Sequence, residues 1–220
     1  MISPTEEDYL KAIYHIHENM EGTHVKTSAI SHAMNTSAAS VTDMMKRLNE
    51  KQLVIHEKYK GVQLTKSGEV IVKKLIRKHR LWEVFLVEKL NFTWDEIHEI
   101  AEQLEHINSP TLTNRLDAFL EHPKFDPHGD PIPDEYGNMH ERKQFLLSEL
   151  QKGKKVVIVG VVQHEPRFLR HLAEQQLVLG TNLELVKYYD FDGSMTLQTG
   201  DNRTLTISNK VSQNLYVKGI

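Results

Sequence analysis

The chain predicts an α+β protein of several domains: a winged helix-turn-helix, then a helical domain, then a small β-barrel. Three observations predict it. Residues 4–64 run helix, short helix, tight turn, helix, hairpin. Residues 65–121 keep a helical period. Residues 151–220 break into short strand-like runs such as KVVIVGVV, LELVKYYD and TLTISN, divided by Gly- and Asp-rich turns.

Taken in order, residues 4–20 form a helix. Ser3 can cap it, Pro4 suits its first position, Glu6, Glu7 and Asp8 favour its positive end, and Tyr9, Leu10, Ile13 and Ile16 recur at helical spacing. Thr27–Ala33 is a second, short helix. Asn35, Thr36 and Ser37 turn the chain. Ala38–Lys51 is a third helix, with Val41, Met44, Met45 and Leu48 inward and Ser37, Ser40, Thr42, Asp43, Lys46 and Arg47 in front. That front is small, polar or basic, so it can enter a major groove. LVIHEKYKGVQLT reads as a hairpin, the wing, with a basic turn at Lys58, Lys60 and Gly61. A long helix follows from about Thr65 to Leu90. Thr93 with Glu96 three residues on reads as a capping box opening the next helix, which Asn108-Ser-Pro110 ends; Thr111–Leu120 is another helix. The divisions are 1–64 for the DNA-binding domain, 65–121 for the helical domain, 122–150 for a Pro-rich linker draped on the surface, and 151–220 for the barrel, with one short helix at about Arg167–Gln175.

Charge separates the same parts. Residues 1–80 carry 13 basic and 9 acidic side chains, residues 81–150 carry 5 and 15, and residues 151–220 carry 9 and 6. A basic amino-terminal part suits phosphate, and an acidic middle suits cations. With no cysteine among 220 residues, disulfides and thiolate zinc sites are excluded. No apolar run approaches a membrane span, and MISPTEEDYL has no basic-then-apolar signal, so a cytoplasmic protein is expected.

The most informative residues are His98, Glu102, Glu105 and His106. On a continuous helix they share one stripe, opposite Ile97, Ile100, Ala101, Leu104 and Ile107. Carboxylates so placed repel unless a cation lies between them, and both residue types are metal ligands. Asp8 and the i, i+4 pair His79 and Glu83 are further candidates. The competing reading is a solvated acidic helix face. HEIAE lacks the second histidine of a zinc-protease helix, there are no paired Glu-x-x-His motifs, and no GxSxG, Walker A or GxGxxG occurs. An enzyme is therefore not expected, although a metalloenzyme using His79, Glu83, His98, Glu102 and His106 is the rival from another class.

TEEDYLKAIY at 5–14, SAASVTDMMKRL at 37–48, KHRLWEVFL at 78–86, IHEIAEQLEH at 97–106 and the GDPIP of the linker resemble the diphtheria toxin repressor family of metal-dependent transcriptional regulators. The resemblance covers nearly the whole chain, and implies that residues 151–220 form the family's SH3-like, FeoA-like domain. It implies a primary metal site at Asp8, Glu102, Glu105 and His106. It implies an ancillary site at His79, Glu83 and His98, completed from the carboxyl domain by Glu165, with His164 the alternative and Phe168 standing where a polar ligand is usual. Iron-dependent members carry Met and Cys where Asp8 and Glu102 stand here. These hard oxygen ligands match the manganese branch, so Mn2+ is expected, Fe2+ being the alternative, with two ions per subunit. On double-stranded DNA the resemblance turns Ser37, Ala39, Ser40 and Asp43 to the bases, Thr42 and Arg47 to the backbone, and Lys58, Tyr59 and Lys60 to the wing tip. Asp43 replaces a more usual Gln and can accept from cytosine N4. The expected protein is a homodimeric repressor of metal-uptake genes on a palindromic operator. Trp82, Phe85, Leu112 and Leu116 are candidates for the dimer face.

Overall fold

The computed structural model describes residues 2–18, 20, 22–57 and 60–220. The chain divides into two compact units, residues 1–79, 104–110 and 133–138 in one and 80–103, 111–132 and 139–220 in the other.

The first unit holds α1 (Pro4–Glu18), α2 (Thr27–Ala33), α3 (Ala38–Glu50), β1 (Val54–Glu57), β2 (Gly61–Leu64) and the first part of α4 (Lys66–Leu90). A reciprocal capping box opens α1: the Glu6 amide donates to Ser3 Oγ at 3.3 Å, and the Ser3 amide donates to Glu6 Oε2 at 2.9 Å. Ser37 caps α3 by accepting from the Ser40 amide at 3.1 Å. Val41, Met45 and Leu48 point inward at helical spacing and join Leu10, Ile13, Ile30 and Val62 in one core. β1 and β2 pair antiparallel from Val54↔Leu64 to Glu57↔Gly61, and Val25 makes an isolated antiparallel bridge to Val62. Gly61 is required there: its φ is +119°, and a Cβ would stand 2.5 Å from the Val25 carbonyl oxygen. Helix, helix, helix, wing is the winged helix-turn-helix expected from the sequence.

The second unit holds the rest of α4, most of α5 (His98–Leu104), α6 (Pro110–Phe119) and an antiparallel sheet. The strands are β3 (Phe145–Leu146), β4 (Lys155–Val161), β5 (Asn182–Tyr188), β6 (Met195–Thr199), β7 (Thr204–Ile207) and β8 (Leu215–Gly219), in the order β3-β8-β4-β5-β6-β7. Pairing shifts between Ile158 and Gly160 and between Leu185 and Lys187 mark bulges, which bend a sheet. Its apolar face closes over Leu169 and Leu172 of α7 (Pro166–Glu174), and α8 (Asn209–Ser212) leads into the last strand. A smaller core joins Leu81, Val84, Leu116, Leu120 and Ile132.

Two expectations change. The Thr93 and Glu96 pair does bond, amide to carboxylate at 3.0 Å, but α5 runs only His98–Leu104, so Glu105 and His106 lie just beyond its end. The Pro-rich segment is also not simply draped on the surface, since Asp126, His128 and Ile132 are buried. The Asp126 carboxylate accepts from the amides of His128 (2.8 Å) and Asp130 (3.0 Å), and the Val161 amide donates to the His128 carbonyl. Gly129, at φ +92°, lets this turn approach β4: a Cβ would stand 2.1 Å from the Val159 oxygen.

Candidate metal centre

In the first unit α1 supplies Glu7, Asp8 and Lys11 at i, i+1 and i+4, hence along one side of the helix. They meet Glu105 and His106. His106 lies between two carboxylates, its Nδ1 2.7 Å from Glu7 Oε2 and its Nε2 3.1 Å from Asp8 Oδ1. Glu105 is wholly buried; its Oε2 accepts from Lys11 Nζ at 2.7 Å and lies 2.6 Å from His79 Nδ1. Its other oxygen, Oε1, is buried without a hydrogen-bond partner. Such an oxygen is costly unless something positive approaches it. Asp8, Glu105 and His106 each offer one ligand atom, all within 4.8 Å of one another. Two carboxylates and an imidazole with one oxygen left over fit a divalent cation. Burial lowers the pKa of Lys78, against the pull of Glu7 and Glu105.

In the second unit, His98 Nδ1 lies 3.8 Å from Glu83 Oε1, and His98 Nε2 3.7 Å from Glu102 Oε1. Glu83 also faces His128, whose Nδ1 is 3.7 Å from Glu83 Oε2 and whose Nε2 donates to the Trp94 carbonyl at 2.8 Å. Glu83, Asp126 and His128 offer ligand atoms within 4.8 Å of one another, and all three are buried. Burial opposes a charge on His128, but Glu83 and Asp126 outweigh it and its pKa is pushed up to about 9. Asp126 is raised by burial, with Glu83 and Asp130 adding to the rise and Arg80, 3.4 Å away, opposing it. His164 stacks on His128 with ring centroids 4.5 Å apart; burial and its charged neighbour push His164 down. Both His128 Nδ1 and His164 Nε2 are buried without a hydrogen-bond partner.

Asp8, Glu105 and His106 thus come together, as do Glu83, His98 and Glu102 in their own unit. Glu165 is exposed beside the first residue of α7 and joins no ligand-competent group among the described residues; His164, its neighbour, is the residue brought to His128. Sequence reading missed Glu7, Lys11, Asp126 and His128. For the last two a signal existed: DPHGD places three ligand-type residues within five positions of a segment read only for its prolines.

Within the winged helix, Ser37, Ala39, Ser40, Asp43 and Arg47 are exposed and Thr42 is half-buried, its hydroxyl donating to the Ala38 carbonyl at 2.8 Å. Lys60 is exposed and pairs with Glu57 at 2.6 Å. Lys58 and Tyr59 lie outside the described residues.

Known proteins match both halves of this picture. The N-terminal DNA-binding domain of iron-dependent repressors matches residues 1–62, their metal-binding and dimerisation domain residues 65–134, and the FeoA domain residues 145–219. The iron-dependent repressor IdeR of Mycobacterium tuberculosis is 30% identical over 162 residues, covering 70% of each chain. A manganese-dependent transcriptional repressor solved in complex with manganese is 30% identical, with a TM-score of 0.84 over 98% of this chain and 100% of that one. The manganese regulator SloR is 36% identical, with a TM-score of 0.74 over the whole of both chains. A winged helix, a metal-binding helical domain and a FeoA domain in this order define a metal-dependent transcriptional repressor rather than an enzyme. The chain belongs to the iron-dependent, or diphtheria toxin, repressor family. No helix among the described residues is long and apolar enough to cross a membrane.

Proposed function

We propose that this chain is a cytoplasmic, Mn2+-responsive repressor that binds a palindromic operator as a homodimer and silences metal-uptake genes, with Fe2+ the alternative ion. Residues 1–64 bind DNA, 65–121 sense metal and dimerise, 122–150 carry Asp126 and His128 to Glu83, and 151–220 brace the sensor. The observation that carries this reading is the meeting of Asp8, Glu105 and His106 around a buried, unpartnered carboxylate oxygen. All the proposed acidic ligands, Glu102 included, are hard oxygen donors, which favours Mn2+ over softer ions.

Bound there, the ion supplies positive charge and no chemistry of bond-making. Asp8 and Glu105 repel each other, and an ion held by them and His106 would offset that repulsion and favour the placement of α1 at Glu105 and His106. α1 is tied to the recognition helix as well. Lys51, which follows α3, donates to both Glu6 oxygens at 2.6 and 2.8 Å, two residues before Asp8. Ligation at Asp8 thereby favours one placement of α3. A coupling of ~1–3 kcal/mol changes DNA affinity by ~5- to 150-fold. In a two-fold dimer the two α3 helices then meet two half-sites at fixed spacing. Glu83, Asp126 and His128 would hold the second ion of each subunit. Phe85 and Phe119, ring centroids 6.3 Å apart and Phe119 61% exposed, lie on the face proposed to dimerise, with Trp82 and Leu112; Leu116 is buried beside Leu81 and Val84.

The test is DNA binding to the chain's own promoter by chelator-stripped protein, before and after adding Mn2+, anaerobic Fe2+ or Zn2+. The expected result is tight binding only with metal, Mn2+ being sufficient, and steeply weakened by salt because most contacts are to phosphate. Asp8→Ala and Glu102→Ala should abolish the metal response. Operator binding unchanged by any metal would reduce the acidic cluster to surface charge.

A further inference from the structure

The histidine at the candidate centre has two ring nitrogens, and only one can face an ion shared with Asp8. His106 Nε2 lies 3.1 Å from Asp8 Oδ1, while Nδ1 points the other way, 2.7 Å from Glu7 Oε2. Glu7 therefore stands behind the ligand. It is only 19% exposed, as is the His106 ring, so the contact is shielded from water and holds the ring in one orientation. Glu7 itself is not in the Asp8, Glu105 and His106 group.

A neutral imidazole carries one proton, on whichever nitrogen has the better acceptor. The carboxylates compete for it from opposite sides. The shorter contact, to Glu7, favours Nδ1–H and leaves the Nε2 lone pair open toward Asp8. Without Glu7 the proton moves to Nε2 and donates to Asp8, and blocks the atom the ion needs. Residues behind a histidine ligand act in this way on its tautomer, orientation and basicity. We propose that Glu7 is a positioning residue that holds His106 as its Nδ1–H tautomer, so that Nε2 is the ligand atom. This rests on the reading of Asp8, Glu105 and His106 as a metal site.

The experiment is nitrogen-15 NMR of the histidine rings in the full-length protein, metal-free and at a pH where the ring is neutral. His106 is assigned from the spectrum of His106→Gln. Mn2+ is then titrated into chains that all carry His128→Gln, which removes the second proposed centre, so that paramagnetic broadening of the His106 signals reads occupancy of this site. The wild-type chain should show Nδ1–H. Glu7→Ala, and Glu7→Met with its similar length and no acceptor, should both show Nε2–H and need ~10- to 100-fold more Mn2+ for the same broadening. Glu7→Gln keeps an acceptor, so it should keep the Nδ1–H form and lose less affinity. An unchanged tautomer in both Glu7→Ala and Glu7→Met, or an unchanged Mn2+ requirement, overturns the proposal. Asp8→Ala separates the two ideas. If it abolishes broadening while Glu7→Ala does nothing, the metal site stands and Glu7 does not position it. If Mn2+ never broadens His106 with Glu7 and Asp8 both intact, the site reading itself fails.

Discussion

Lys11→Met tests whether an ammonium and a metal ion neutralise the same buried carboxylate. Lys11 Nζ donates to Glu105 Oε2 at 2.7 Å, with side chains only 11% and 0% exposed. Removing one partner of a buried pair costs ~3–5 kcal/mol, because the other charge is left behind in a medium of low dielectric. His79 Nδ1, 2.6 Å from the same oxygen, keeps the loss toward the lower end. At ~2–4 °C per kcal/mol for a chain of this size, a loss of ~3 kcal/mol should lower melting in chelator by roughly 6–12 °C. Methionine preserves the length and apolar stem of lysine, so little of the loss comes from packing. With saturating Mn2+ an ion held by Glu105 would take over the neutralisation, and the difference between variant and wild type should shrink to ~1 kcal/mol or less. The assay is thermal unfolding followed by circular dichroism, with chelator and with Mn2+. An equal loss in both conditions would mean that ion and ammonium do not serve the same carboxylate. No loss in chelator would mean that His79 alone satisfies Glu105.

Three further outcomes are expected. His128, with its pKa pushed up to about 9, must lose a proton before Nδ1 can bind an ion, so Mn2+ uptake at Glu83, Asp126 and His128 should strengthen as pH rises toward 9 and release a proton measurable by calorimetry in two buffers; in the metal-free chain the same shift adds stability below the unfolded value near ~6.5 that is lost as pH rises through about 9. Burial alone would raise the Glu6 carboxyl, but hydrogen bonds from Lys51 and the Ser3 amide outweigh it and lower it from the usual 4.5, so its stabilisation is present above that value and lost as pH falls through the lowered one; Glu6→Gln should cost ~1 kcal/mol at neutral pH and nothing in acid, as read by denaturant midpoints. Gly129→Ala should cost ~1–3 kcal/mol from the left-handed backbone alone, more with the 2.1 Å clash at Val159, and should dislodge His128 from Trp94, seen as a change in tryptophan fluorescence.

Much of the architecture was legible in sequence. Leu10 and Ile13, and Val41, Met45 and Leu48, recur at the helical period because each helix has one buried face, and all five are buried. Ser3 and Ser37 marked their helix starts because capping is a contact within four residues. The strands from Lys155 to Gly219 announced themselves by alternation and turns. Glu105 and His106 were found because their residue types carry chemistry, Asp8 was joined to them by the family resemblance, and the structure brings the three together. Local patterning, capping and residue type are properties of short stretches of chain, and these the sequence determined by itself. Tertiary structure alone decided where α5 stops, which oxygen of Glu105 meets Lys11 from 94 residues away, that Glu7 stands behind His106, and that Asp126 and His128 are buried against Arg80 and Glu83 rather than solvated in a linker. The last three depend on burying a charge beside a partner distant in sequence. The free energy of a buried charge is set by that partner and by the exclusion of water, and neither is encoded in the residues next to it.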